Sequence, residues 1–318
     1  MLIAIGGNAL IRAGEDPTVG TERAHLPDTC RAIAQLVADG WRVVLTHGNG
    51  PQVGAALLRS ERAAAETYPL PLDVCVAATQ GEIGFLLEQT LDEALAMRGL
   101  RHPVATVLAQ VVVARADPAF AEPTKPIGPF YSRADADARR LSGWTLIEEP
   151  PHGFRRAVPS PEPLDIIEEA AIRALLDAGV VVITLGGGGI PVLRDGWRLT
   201  GVEAVVDKDL ASALLATRLQ ADVLLIATDV DRIYVDFGGP RARGLGDVTA
   251  HELGRYAAAG QFPAGTMGPK VEAVRRFLAA GGHDAIVTAP ECLAAALHGR
   301  AGTHVVNAIG AAVGRGSS

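Results

Sequence analysis

Of the 29 lysines and arginines in this 318-residue chain only three are lysines: Lys125, Lys208 and Lys270. Arginine presents a planar fork, whereas the lysine ammonium is a compact point charge that can follow a moving anion. A chain that places arginine on its solvated faces keeps lysine mainly where the fork cannot substitute. Lys125 lies in Thr-Lys-Pro-Ile-Gly-Pro-Phe-Tyr, Lys208 in Val-Asp-Lys-Asp-Leu-Ala and Lys270 in Gly-Thr-Met-Gly-Pro-Lys. All three contexts are turn-rich or helix-opening, where anion sites are built, although leftover surface lysines would give the same count. Glycine clusters tip the balance. Gly6-Gly7-Asn8, Gly48-Asn49-Gly50 and Gly186 through Gly189 each follow a short apolar run. Glycine lets backbone N–H groups approach an anion closely, and the helix N-termini that follow add positive potential.

Lysines and glycine loops together point to phosphoryl transfer, where catalysis is mainly positioning and charge neutralisation. Lys208 and Lys270 are the candidates for contact with the phosphate chain and the moving group. Asp207 and Asp209 flank Lys208 and could orient it or help hold Mg2+ through water, a reading favoured for Asp209 over that of a plain helix N-cap ahead of Leu210. Asn8 and Asn49 are neutral donors suited to a small anionic substrate. His47 adjoins the second glycine loop, where a structural role is favoured over that of a base. Neither a GxGxxG fingerprint with its ribose acid nor a GxxxxGK[ST] loop occurs.

Such loops need strands to carry them. Apolar runs at Leu2–Ile5, 42–46, 104–108, 180–185, 223–227 and 285–288 alternate with helical patterns at 28–39, from about Gln52, and at 80–98, 163–178, 210–217 and 271–280. Asp28 is read as the N-cap of the first helix and Gly40 as its stop. Strands alternating with helices imply a parallel sheet with right-handed crossovers in a layered α/β fold, as two domains or one large sheet. Ligands of such sheets bind outside the carboxyl ends of the strands, where all three glycine clusters fall. Residues 115–157 break the rhythm with six prolines and little periodicity; a lid or subdomain is favoured there over a plain surface loop.

The net charge of −7 and the lack of a basic stripe argue against a nucleic-acid partner. Apolar runs are strand-sized and the first residues lack a signal peptide's cationic start, so neither membrane nor export is expected. Cys30, Cys75 and Cys292 are isolated, as in a reducing cytoplasm.

The motifs resemble those of the carbamate kinases, a branch of the amino-acid kinase superfamily. They are Ile5-Gly-Gly-Asn-Ala-Leu, Thr46-His-Gly-Asn-Gly-Pro-Gln-Val-Gly54, Lys125-Pro-Ile-Gly-Pro-Phe-Tyr131, Arg155-Arg-Ala-Val-Pro-Ser-Pro161, Gly186-Gly-Gly-Gly-Ile-Pro-Val192, Glu203-Ala-Val-Val-Asp-Lys-Asp-Leu-Ala211, Thr228-Asp-Val-Asp231 and Gly265-Thr-Met-Gly-Pro-Lys270. The resemblance implies a three-layer αβα sandwich around a mainly parallel open sheet, in two lobes, and a homodimer. It puts carbamate or carbamoyl phosphate on residues 1–203, with the lid subdomain at about 115–157, and MgATP or MgADP on residues 204–318. It further implies catalytic roles for Lys208, Lys270, Lys125 and Asp209, and phosphoryl or substrate contacts from Gly6, Gly7, Asn8, Gly48, Asn49 and Gly50. Nucleotide contacts fall to Gly186, Gly187, Thr228, Asp229, Asp231, Met267, Gly268 and Lys270, with no side chain assigned as a direct metal ligand. Related family members usually carry a lysine near the first glycines; none is present here, and Lys208 is expected to take that role. Val76 and Thr266 stand where glycine and serine are frequent, and Val76 could alter packing or the dimer surface. A related kinase acting on another small carboxylate, or a nucleotide or anion sensor, is the alternative.

Overall fold

The computed structural model describes residues 1–7, 10–11, 15, 18–263 and 265–307. A central sheet takes eight strands: β1 (Leu2–Ile5), β2 (Val44–His47), β3 (Val104–Val107), β4 (Val181–Thr184), β5 (Val223–Ala227), β6 (Asp247–Thr249), β7 (Asp284–Thr288) and β8 (Thr303–Val306). Their order is β6-β8-β7-β5-β1-β2-β4-β3, so residues 223–306 supply one half and residues 2–184 the other. All pairs are parallel except β7 with β8.

Alternation along the strands makes the fold three-layered. Leu2 and Ala4 of β1 join a core shared with helices α5 (Glu169–Asp177), α6 (Lys208–Arg218), α7 (Ala250–Ala258) and α8 (Met267–Ala279). Ile3 and Ile5 point the other way, into a core shared with α1 (Val19–Ala38) and α3 (Leu72–Ala96). Each fully buried Leu or Ile contributes about 1.5–3 kcal/mol, and β1 and β5 consist of such side chains and alanine apart from Val223. No helix among the described residues is long and apolar enough to cross a membrane.

The first helix starts nine residues before the expected Asp28. Thr18 caps it by accepting the Thr21 N–H, and Glu22 and Leu26 already belong to its buried face. Pro27 sits inside, where it costs one backbone bond without ending the helix. The expected helix over 163–178 is likewise shortened to α5, because Asp165–Ile166 forms a strand against Gln110–Val112 in a four-stranded side sheet.

The proline-rich segment is built, not irregular. Lys125–Tyr131, Gly153–Val158 and Leu146–Glu149 form an antiparallel sheet, and α4 (Arg133–Leu141) packs on it over Ala136, Leu146 and Phe154. The Arg139 guanidinium lies 4.2 Å from the Tyr131 ring centroid and 4.6 Å from that of Trp144. Its other end reaches Glu61 of α2 (Gly50–Ala63), which also pairs with Arg156. The segment seats on α2 where Gly54 meets Gly128 backbone, with no room for a Cβ at residue 54. Val76, expected to alter packing or the dimer surface, is fully buried beside Val53, Leu72 and Ile127, so its effect is on packing beneath the strand Lys125–Tyr131.

Candidate active site

The carboxyl ends of β1, β2 and β4 bring the glycine clusters into contact. Gly6 N–H donates to Ala227 O and Gly48 N–H to Ile5 O, each at 3.0 Å, and a Cβ on Gly48 would stand 3.1 Å from Gly7 N. Gly187, at φ +65°, lies against the Asn49 amide, which donates to Thr79 Oγ1 at 2.9 Å. Gly6, Gly7, Gly48, Asn49, Gly50 and Gly187 line one side of a 440 Å³ cavity, and all three lysines line it as well.

The lysines converge on α6. Asp207 is the N-cap of that helix and its Oδ1 accepts the Asp209 and Leu210 N–H groups, so Asp209 is not the cap. Lys208 donates from Nζ to the Ile5 carbonyl at 3.0 Å, where the first glycine loop begins. Asp209, 4% exposed, stands between two ammoniums: Lys208 Nζ at 3.3 Å and Lys270 Nζ at 3.0 Å. Burial pushes the Lys208 pKa down, Asp209 opposes that, and Lys270 adds to it. Burial alone would raise the Asp209 carboxyl, but the two ammoniums outweigh it and hold it below the usual carboxylate range. Ser212 Oγ, which donates to Lys208 O, meets Thr46 Oγ1 at 2.7 Å and fastens α6 to β2. Two sheltered cations clamped by one buried carboxylate beside closely packed glycine loops form a site for polyanionic phosphate.

The amino acid kinase family model matches residues 1–289. The chain belongs to the amino acid kinase family. The carbamate kinase of Thermococcus kodakarensis is 44% identical over 96% of this chain and 98% of its own. The carbamate kinase-like protein YahI of Escherichia coli is also 44% identical, over the same shares. The structure of the Giardia lamblia carbamate kinase bound to AMP-PNP matches at a TM-score of 0.90 and 39% identity, covering 96% of this chain and 97% of that one.

In this amino acid kinase His47 is a buried brace. Burial pushes its pKa down to about 4; the bond from Nδ1–H to Gly48 O at 3.0 Å opposes that, and Lys208 adds to it. Below the ordinary value of 6.5 the unfolded chain takes up a proton that the folded kinase refuses, so stability falls as pH drops from 6.5 to about 4. The shift corresponds to about 3 kcal/mol over that window. Denaturant unfolding on either side of it should show this loss in the wild type and a flatter profile in His47→Asn.

Not every expected contact reaches the cavity. Gly186 packs under the His47 ring and beside Gln80 and does not line the cavity, whereas Gly187, against the Asn49 amide, does. Asp231 pairs with Arg232 and Tyr234 Oη, and Gly268 abuts the Pro263 carbonyl; neither lines the cavity. Thr228, Asp229, Met267 and Lys270 do line it. Asn8 lies outside the described residues. Sequence reasoning missed Tyr234 and Phe237, whose rings meet at a tilt with 5.8 Å between centroids on the cavity wall. Aromatics are only 4% of the chain, so a Tyr-x-x-Phe pair just beyond Thr228-Asp229 was the available signal.

Proposed function

We propose that this kinase moves a phosphoryl group reversibly between MgADP and carbamoyl phosphate, giving MgATP and carbamate. The supporting observation is the Lys208–Asp209–Lys270 clamp opening onto the glycine loops, in a chain 44% identical to an enzyme named carbamate kinase. In the forward step a terminal oxygen of ADP bonds to phosphorus while the bond from phosphorus to the carbamate oxygen breaks. Carbamate leaves as an anion and ATP gains one charge, so charge balances with no proton moved. A general base is therefore not needed, which agrees with a His47 buried and neutral.

Residues 1–203 hold the carbamoyl side: the N–H groups of Gly7 and Gly50 and the second N–H of the Asn49 amide take phosphoryl and carbamate oxygens, with Lys125 above them, while Gly6 and Gly48, whose N–H groups bond to Ala227 O and Ile5 O, hold the loops close together. Residues 204–318 hold the nucleotide, its phosphates at Thr228, Asp229 and Lys270 and its base against Met267, Tyr234 and Phe237. Magnesium arrives with the nucleotide, since Mg2+ keeps several waters and takes one or two carboxylates beside phosphates. The donor set fits such an ion held through water: Asp229 lines the cavity beside the phosphate position, and Asp209 Oδ1 has only the 3.3 Å ion pair with Lys208 Nζ. When bound, the ion neutralises phosphate charge. Free cysteines fit a cytoplasmic setting. Val74, Ala78, Gly81 and Phe85 leave one apolar face of α3 exposed at helical spacing, suited to the same face of a second copy.

The test is ATP formation from MgADP with carbamoyl phosphate, run beside acetyl phosphate and other acyl phosphates, on protein whose mass is measured by sedimentation. Preference for carbamoyl phosphate by a two-chain particle is expected. Turnover of another acyl phosphate alone would favour a different small carboxylate, a reading to which the relative named only carbamate kinase-like lends weight.

A further inference from the structure

Among the described residues, Asp207 is the one carboxylate in the cavity that touches both the lid and α6. Its Oδ1 accepts the Asp209 N–H at 2.9 Å and the Leu210 N–H at 3.3 Å, fixing the turn that carries Lys208 and Asp209. Its Oδ2 accepts from Lys125 Nζ at 2.9 Å, across 82 residues of chain. The aspartate side chain is 13% exposed and the lysine 34%, so the pair is sheltered without being sealed. Other ion pairs of the lid run elsewhere: Arg139 and Arg156 to Glu61 on α2, and Arg156 also to Glu203. Among the described ion pairs, Lys125–Asp207 is the one that joins the lid to α6.

We propose that Asp207 is a positioning residue that holds the lid lysine over the cavity and ties closure of the lid to the start of α6. A cap alone does not call for this charge, because asparagine and serine cap a helix about as well as aspartate. The carboxylate therefore has a second task, and its free oxygen is spoken for by Lys125. Lysine carries three N–H donors. One rests on Asp207, leaving the others for a phosphoryl oxygen on the cavity side, so the lysine engages substrate without leaving its anchor. The lid then closes in the register that sets Lys125 opposite Lys208, and the helix turn bearing Lys208 is held by the same carboxylate.

The proposal rests on carbamoyl phosphate as substrate only for its kinetic arm. Asp207→Asn keeps the cap acceptor and removes the charge. Asp207→Asn and Lys125→Ala should each raise KM for carbamoyl phosphate about tenfold, the double variant being no worse than either, since the two residues act through one contact. KM for MgADP should stay within about twofold. In hydrogen exchange on substrate-free protein, residues 125–131 should exchange faster in both single variants, and no faster in the double. This arm decides the anchor even if wild type turns over a different acyl phosphate. Multiplying effects, about a hundredfold in the double, would overturn the coupling and leave Asp207 acting through Lys208 alone. Unchanged exchange at 125–131, or a defect confined to MgADP, would overturn it as well. Should the Asp207→Asn variant fold poorly, Asp207→Ser keeps a capping oxygen and gives the same readouts.

Discussion

Lys208→Ala should lower kcat for ATP formation about a thousandfold, the scale of removing a preorganised donor from a transition state, with KM for MgADP little changed. The reason is placement. Lys208 is 12% exposed, anchored by the Ile5 carbonyl, and directed at the junction between glycine loops and nucleotide side. Charge on a phosphoryl group spreads over its equatorial oxygens during transfer, and a desolvated ammonium held ready for it stabilises that state without reorganising. Lys208→Arg should not rescue, because a guanidinium fork cannot keep the Ile5 contact within the space of an ammonium. A coupled assay with saturating substrates reads the effect directly; a kcat close to wild type would remove Lys208 from the mechanism.

Asp209→Asn should cost both activity and folding. Asparagine keeps the shape but leaves two largely sheltered ammoniums facing each other, where Lys270 had a carboxylate at 3.0 Å and Lys208 one at 3.3 Å. Breaking a buried ion pair from one side typically costs about 3–5 kcal/mol, and kcat should fall about a hundredfold or more as the lysines splay. The sign with pH is diagnostic. Burial already holds Lys208 below the ordinary 10.5, and Asp209 is the chief opposing influence. Without it the folded protein gives up that proton more readily than the unfolded chain. Stability of the variant should therefore rise with pH toward 10.5, more steeply than in wild type. Urea unfolding across alkaline pH measures this, and parallel slopes for the two proteins would refute the account.

The chemistry was more legible in sequence than the architecture that delivers it. Glycine clusters at strand ends and isolated lysines are local signals, and six of the seven described glycine and asparagine candidates from those three clusters line one cavity, Gly186 being the exception. Residues 115–157 stood out as a separate segment, but its strands and helix were opaque for a physical reason. Its strands bury only a small core of Ala136, Leu146 and Phe154, and arginines packed on Tyr131, Trp144 and Phe154 stand where apolar periodicity would be sought. Pro27 hid the first half of α1 because its cost is one bond against a whole buried face. The Lys125–Asp207 pair spans 82 residues, and no local pattern announces a partner that distant.

The β1–β5 ladder, which pairs Leu2 with Leu224 through Ile5 with Ala227, stitches the two halves of the molecule into one hydrogen-bonded surface. A clamshell motion would have to tear that seam, so the two walls to which the proposed function assigns donor and acceptor share one frame. Under the proposed function, the frame that aligns the in-line displacement is made when the chain folds, and the arginine-rich segment seated on α2 is the part left to admit substrate.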